Sequence, residues 1–234
     1  RENTKNTIKA LIVNTKNANT FTGDQGLDGL NEIAKKLTDS LKKFESENKY
    51  EKTKVKDLLF ASTGVIGEKF PTEKIAKCIP DLVRNLRINQ NKIIWMKMAS
   101  AIMTTDTRPK VAYSEIKIGD KTIRIAGVAK GSGMIAPNLA TMFAFIFTNA
   151  DISSPVLNKY LNKVLSSTFN AITIDSDTST NDMVAIFATK KIKSKKLNTT
   201  SSKEALKFEK GLKTVCLDLA KQIVVDGEGA KKFI

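Results

Sequence analysis

The apolar residues of this chain fall in short runs of strand length, each closed by a loop of Gly, Asn, Asp, Ser or Thr. Between the runs lie amphipathic stretches at helical spacing. Strand-length runs must pair in a sheet, and helical stripes must cover it. "IKALIV" (8–13), "LLFAS" (58–62), Met142 to Asn149, "AITID" (171–175) and "MVAIFATK" (183–190) read as strands. "EIKIGDKTIRIAG" (115–127) reads as a hairpin, with Ile116 and Ile118 facing Ile123 and Ile125 across Gly119-Asp120. Irregular alternation with one clear hairpin predicts an α/β or α+β fold with a mixed sheet.

The helical stretches carry their own signals. Thr22 and Gln25 fit a capping box for a helix with the stripe Leu27, Leu30, Ile33, Ala34, Leu37, Leu41 and Phe44. The charged stretch 45–56 reads as a connector, a further helix starts near Thr72, and 81–103 reads as helical until Pro109 breaks it. Ser154 with Pro155 starts another helix. The last helix, about 202–225, lines up Leu212, Val215, Cys216, Leu219 and Ile223 and ends at Gly227. No linker demands a domain boundary, although 190–203 has the polarity of an exposed excursion.

Composition narrows the function. With 234 residues, 41% of them hydrophobic, the chain can bury one large or two modest cores. No apolar run reaches the ~18 residues of a membrane span, and the opening residues lack the apolar stretch of a secretory signal. The start at Arg1, without an initiator Met, predicts that residues are missing from one or both ends. The net charge of +15 comes from 39 Lys and Arg against 24 Asp and Glu. The lysines are scattered, with few aromatics between them to stack on bases, so they read as a solvated surface rather than a nucleic-acid interface. Cys78 and Cys216 lie far apart and read as small core residues of a reducing compartment.

The count of zero His weighs most. It removes Ser-His-Asp and Cys-His chemistry and the usual His-bearing metal sites. A nucleophile here needs a carboxylate, a Lys or a chain-terminal amine as its base. "NTKNANTFTGDQG" (14–26), "STGVIG" (62–67), "KGSGMIAP" (130–137) and "DSDTSTND" (175–182) all follow apolar runs, which suggests one functional face. In "STGVIG", Gly64 lets a backbone N–H approach a ligand and Thr63 offers a hydroxyl, as an oxyanion hole requires. "GSG" is followed by neither GK[ST] nor GxGxxG, which argues against a nucleotide site. Thr141, at the end of "KGSGMIAPNLA" and the start of a buried run, fits two readings. It is a β-branched strand residue, or it is a nucleophile freed by cleavage at Ala140-Thr141, its own amine (pKa ~7.7–8.0) serving as base.

"KGSGMIAPNLATM" resembles the self-cleavage segment of the ornithine acetyltransferase (glutamate N-acetyltransferase) family of arginine biosynthesis. "NANTFTGDQG", "STGVIGEKFP", "AIMTTDTRPK", "FNAITIDSDTSTND" and "LAKQIVVDGEGAKKFI" resemble further motifs of that family in the same order, over nearly the whole chain. The resemblance implies an N-terminal-nucleophile-like architecture of mixed sheets layered with helices. It implies autoproteolysis into 1–140 and 141–234, with Thr141 as nucleophile and Thr63 and Gly64 as the oxyanion pair. Thr104, Lys130, Thr141 and Glu228 take the substrate-binding positions, with the choice between Thr104 and Thr105 left open. The implied reaction carries acetyl from N-acetylornithine to glutamate through an acetyl-Thr enzyme, without a metal or redox cofactor.

The same resemblance implies a cytoplasmic enzyme whose two fragments stay together as an αβ heterodimer and assemble further to α2β2. No nucleic acid or membrane partner is implied, and acetyl-CoA stays open as a second acetyl donor. Lys16 stands where the family usually has a small residue, and Ser176 where it has Gly. Family members run beyond both ends of this sequence, and a segment beyond Ile234 would supply an Asn and a Thr to the substrate site. The alternatives are an amidohydrolase or aminopeptidase of the same nucleophile type, which passes the acyl group to water, and a non-catalytic basic binding module.

Overall fold

A computed structural model describes residues 7–88, 91–135, 142–175, 177, 179–193 and 197–232. The chain forms two compact units that divide between Asn91 and Lys92. The sequence carries no boundary signal at that point. This is a different partition from 1–140 and 141–234, which rests on a peptide bond outside the described residues.

In the first unit, β1 (Ala10–Asn14) and β2 (Leu58–Ser62) pair in parallel, Ala10 opposite Leu58 through Asn14 opposite Ser62. A parallel pair needs a long crossover, which α1 (Gly23–Glu47) supplies. Its residues Ile33, Ala34, Leu37 and Leu41 bury against Leu58, Phe70 and, from α2 (Thr72–Arg84), Ile79 and Val83. Leu27, expected on the same stripe, is exposed. The 45–56 connector starts later than expected, because α1 continues to Glu47. Buried Glu45 accepts a hydrogen bond from Thr53 N–H.

The expected capping box does not form. Thr22 Oγ1 donates to Asn19 Oδ1 (2.5 Å), and the Gln25 amide pairs with both backbone groups of Phe70 at 3.1 Å. A long-range pair that satisfies two backbone groups outcompetes one local cap bond. The helix expected over 81–103 is likewise two helices. α2 stops at Arg84, where Asn85 donates to the carbonyl of Asp81 through both its backbone and its side chain, and helix resumes at α3 (Lys92–Ala101). Cys78, expected in a core, is exposed, whereas Cys216 is buried.

The second unit is built on a mixed four-stranded sheet in the order β3-β4-β5-β6. β3 (Lys110–Ile118) and β4 (Lys121–Lys130) are the expected hairpin, with Ile116 opposite Ile123 and Gly119 at φ +62°. β5 (Phe143–Ala150) is antiparallel to β4, and β6 (Met183–Ile192) parallel to β5. Strand alternation divides the faces. Ile125, Ala144 and Ile146 join the core beneath α4 (Ser154–Leu165) and α5 (Lys203–Val225), with Phe208, Leu212, Val215 and Leu219. Phe147 turns the other way, edge-on to Trp95 of α3 at 5.4 Å. Gly127 lets α5 approach, since a Cβ there would lie 2.8 Å from Leu219 Cδ1.

"AITID" is not a strand. Phe169–Ala171 is a 3₁₀ turn, and Ile174 N–H then bonds to the Ile135 carbonyl (2.7 Å) instead of joining the sheet. Among the described residues, no helix is long and apolar enough to cross a membrane.

Candidate functional site

In the first unit, backbone pairing continues past the strand ends into the two loops. Thr63 N–H donates to Asn14 O (3.1 Å), Val65 N–H to Lys16 O (3.3 Å), Ala18 N–H to Val65 O (2.8 Å) and Gly67 N–H to Thr20 O (3.0 Å). Gly64, at φ +130°, sits where a Cβ would be 2.1 Å from the Lys16 carbonyl carbon, so only glycine lets the loops close. The Thr63 hydroxyl and the Gly64 N–H have no hydrogen-bond partner among the described residues. Thr63 and Gly64 thus carry two donors, unpartnered among the described residues, on a loop fixed by these backbone bonds.

Two hollows do not compete with it. One of about 130 Å³, among Asn14, Asn19, Phe60, Ser62 and Phe70, is well below the ~300 Å³ of ligand pockets. One of about 620 Å³ is bounded by α3 residues alone and is a helix face.

The second unit brings together Thr104, Lys130 and Glu228. Lys130 is 2% exposed, at the end of β4, and its Nζ donates to Thr104 Oγ1 (2.9 Å). Burial holds its pKa below the usual lysine value, while the carboxylates of Asp106, Asp182 and Glu228 act in the opposite direction. An ammonium has three donors, and Thr104 is its one hydrogen-bond acceptor among the described residues. Thr105 points elsewhere, its hydroxyl 2.7 Å from Ser132 Oγ. Ser132 leads to Glu228, whose N–H donates to Ser132 O (2.6 Å). A Cβ at Gly133 would lie 2.9 Å from a Glu228 carboxylate oxygen, so glycine admits that side chain.

Thr141 and Ala140 lie outside the described residues, but the described residues on either side of them are held by Asp175 and Asp182. Asp175 accepts hydrogen bonds from the N–H groups of Met134 and Ile135. Burial alone would raise its carboxyl, but these backbone donors outweigh burial and hold it below the usual range. Asp182 Oδ1 accepts from Met142 N–H (2.7 Å), and its Oδ2 is buried with no partner among the described residues. Burial pushes the Asp182 carboxyl up to about 6, against the opposing pull of Met142 N–H and Lys130.

Sequence reasoning missed Asp182, Asp106, Lys110 and Asp226. Asp106 and Asp226 both lie 2.6 Å from Lys110 Nζ. The four-residue spacing in "DTRPK" hinted at the first pair, but nothing local pointed to Asp226. No group of three or more His, Cys, Asp or Glu among the described residues could hold a metal ion.

The sequence matches the family model described as "ArgJ family" over residues 1–234. The chain belongs to the ArgJ family. The arginine biosynthesis bifunctional protein ArgJ of Zymomonas mobilis is 39% identical over 230 residues, covering 98% of this chain and 53% of that protein. The protein of the same description from Lactococcus lactis is 43% identical over 230 residues, covering 98% of this chain and 54% of its own length. This ArgJ-family chain therefore spans about half the length of the curated relatives it matches. A crystal structure of the Bacillus halodurans protein is 33% identical with a TM-score of 0.45, covering 55% of this chain and 60% of that one.

Proposed function

We propose that this ArgJ-family chain carries out acetyl transfer from N-acetylornithine to glutamate in arginine biosynthesis, after self-cleavage at Ala140-Thr141. The observation that carries the reading is buried Lys130, with donor capacity beyond Thr104 and with Glu228 in the same loop cluster. N-acetylornithine carries one carboxylate and one side-chain ammonium, and a fixed cation and a fixed anion suit both ends.

In this scheme Lys130 pairs the carboxylate and Glu228 the ammonium. Thr141 Oγ attacks the acetamide carbonyl while its own α-amine takes the hydroxyl proton. Thr63 and Gly64, whose hydroxyl and N–H are free among the described residues, are the proposed donors to the oxyanion. The C–N bond then breaks, the proton passes to the departing amine, and ornithine leaves an acetyl ester on Thr141. Glutamate's amine attacks that ester in the second half of a ping-pong cycle, which restores the free hydroxyl. No metal or redox cofactor enters the cycle, and acetyl-CoA is a candidate second donor. The two fragments are proposed to remain an αβ heterodimer, assembled to α2β2, in the cytoplasm.

Mass spectrometry of the purified protein tests the cleavage: two fragments are expected, one beginning at Thr141, and Thr141→Ala should give one chain without transfer. A fully active uncleaved chain would refute the scheme. Ornithine release should depend on glutamate, and release into water alone would make the protein an amidohydrolase instead.

A further inference from the structure

Lys110 is a fully buried lysine at the first position of β3, and the scheme above does not use it. Its ammonium lies 2.6 Å from Asp106 Oδ1 and 2.6 Å from Asp226 Oδ2. Each carboxylate also grips backbone. Asp106 accepts from Thr104 N–H (3.1 Å) and Gly131 N–H (2.7 Å), and Asp226 from Thr107 N–H (3.0 Å) and the Thr107 hydroxyl. Burial would raise both carboxyls, but the amide donors and Lys110 together hold them below the usual range.

Three of the four proposed substrate-binding residues, all but Thr141, sit within two residues of one of these contacts. Thr104 is itself held, Lys130 precedes Gly131, and Glu228 follows Asp226 by two positions. The triad is not needed merely to dock α5. The Gln222 side chain already pairs with both backbone groups of Val111, at 3.2 and 3.1 Å, and Val215 and Leu219 pack in the core with Ile125 and Ile146. Buried ion clusters are also weak stabilisers compared with apolar packing. What the triad adds is a fixed junction between the 104–107 loop, the end of β4 and the end of α5.

We propose that Lys110, with Asp106 and Asp226, is a positioning device that fixes the span from Lys130 to Glu228, and with it the length of diamino-acid side chain the site accepts. This rests on the substrate reading given above. A buried triad is rigid because moving any member strips the others of their partners. Holding both substrate ends at a set distance is what separates homologues differing by one methylene.

The test compares kcat/KM for N-acetylornithine and for N2-acetyl-lysine, one methylene longer, in the wild type, Lys110→Met and Asp226→Asn. Preference for the shorter substrate should fall by about tenfold in the variants, the scale of one-methylene discrimination. An equal loss on both substrates, with the preference unchanged, would make the triad purely structural and overturn the proposal. Lys110→Met leaves two carboxylates facing each other and is the variant at risk of misfolding. Asp226→Asn keeps the shape and then decides the matter.

Amide hydrogen exchange gives a readout independent of turnover. In Asp226→Asn, exchange should quicken at Thr107 and also at Gly131, whose N–H is held by Asp106 on the far side of Lys110, while Val128 in β4 stays protected. Unchanged exchange at Gly131 would overturn the coupling. A wild type that transfers no acetyl to glutamate would instead refute the substrate reading, with the exchange result still deciding the triad.

Discussion

Replacing Gly64 by Ala should damage the first unit far more than one methyl ordinarily does. The new Cβ would stand 2.1 Å from the Lys16 carbonyl carbon, 2.4 Å from Asn17 N and 2.5 Å from Lys16 O. Carbon atoms pack at ~3.5–4.0 Å, so the overlap exceeds 1 Å by a wide margin, and all three atoms are backbone, which no rotamer change can move. The loops must separate, giving up the Val65–Lys16 and Ala18–Val65 hydrogen bonds. Backbone strain at positive φ, forced repacking and the lost bonds together come to ~4 kcal/mol. Gly67→Ala is the matched control. It also has positive φ (+80°), but a Cβ there meets nothing within 4 Å, so strain of ~1–2 kcal/mol is the whole cost. Urea unfolding followed by far-UV circular dichroism should therefore separate the two variants by ~2–3 kcal/mol, the difference between these sums. If they unfold within ~0.5 kcal/mol of each other, a gap no larger than an ordinary surface effect, then the approach of residues 16–17 to Gly64 is not what demands glycine there.

Two further outcomes follow from the titrating groups. Burial pushes the Cys216 thiol up to about 12, whereas Cys78 is exposed. Iodoacetamide should therefore label Cys78 alone in the native protein and reach Cys216 only on unfolding, and native labelling of Cys216 would contradict the packing beneath α5. Asp182, raised from 3.8 to about 6, binds its proton more tightly in the folded than in the unfolded state. Its burial penalty is absent below the unfolded pKa, grows as pH rises from about 4 to 6, and is complete above that. Asp182→Asn keeps an acceptor for Met142 N–H, so thermal melts should show it more stable than wild type near pH 8, with the gain gone near pH 4. A gain that is the same at both pH values would show that charge burial is not its cause.

Much of this structure was legible because its signals are local. The β3–β4 hairpin followed from alternating isoleucines around Gly119-Asp120, and α5 from its 3.6-residue stripe. The close approach at Gly64 was legible in "STGVIG", since a glycine after a strand marks a close backbone approach. The failures share a cause. Gln25 reads as half of a capping box, yet its amide serves Phe70, 45 residues on. Ile172 and Ile174 read as a strand, yet the backbone there clips Ile135 instead of joining the ladder.

Sequence by itself determined the periodicities, the breaks and the hydroxyl- and glycine-rich loops, and through them the fold class and the family. Tertiary structure alone decided which polar groups meet. "TTDTRPK" looks like a solvated loop, and a lysine in it would ordinarily be exposed. Lys110 is buried because the fold delivers Asp226 to it from 116 positions away. A charge can leave water only where partners replace the water, and no local pattern records a partner that distant.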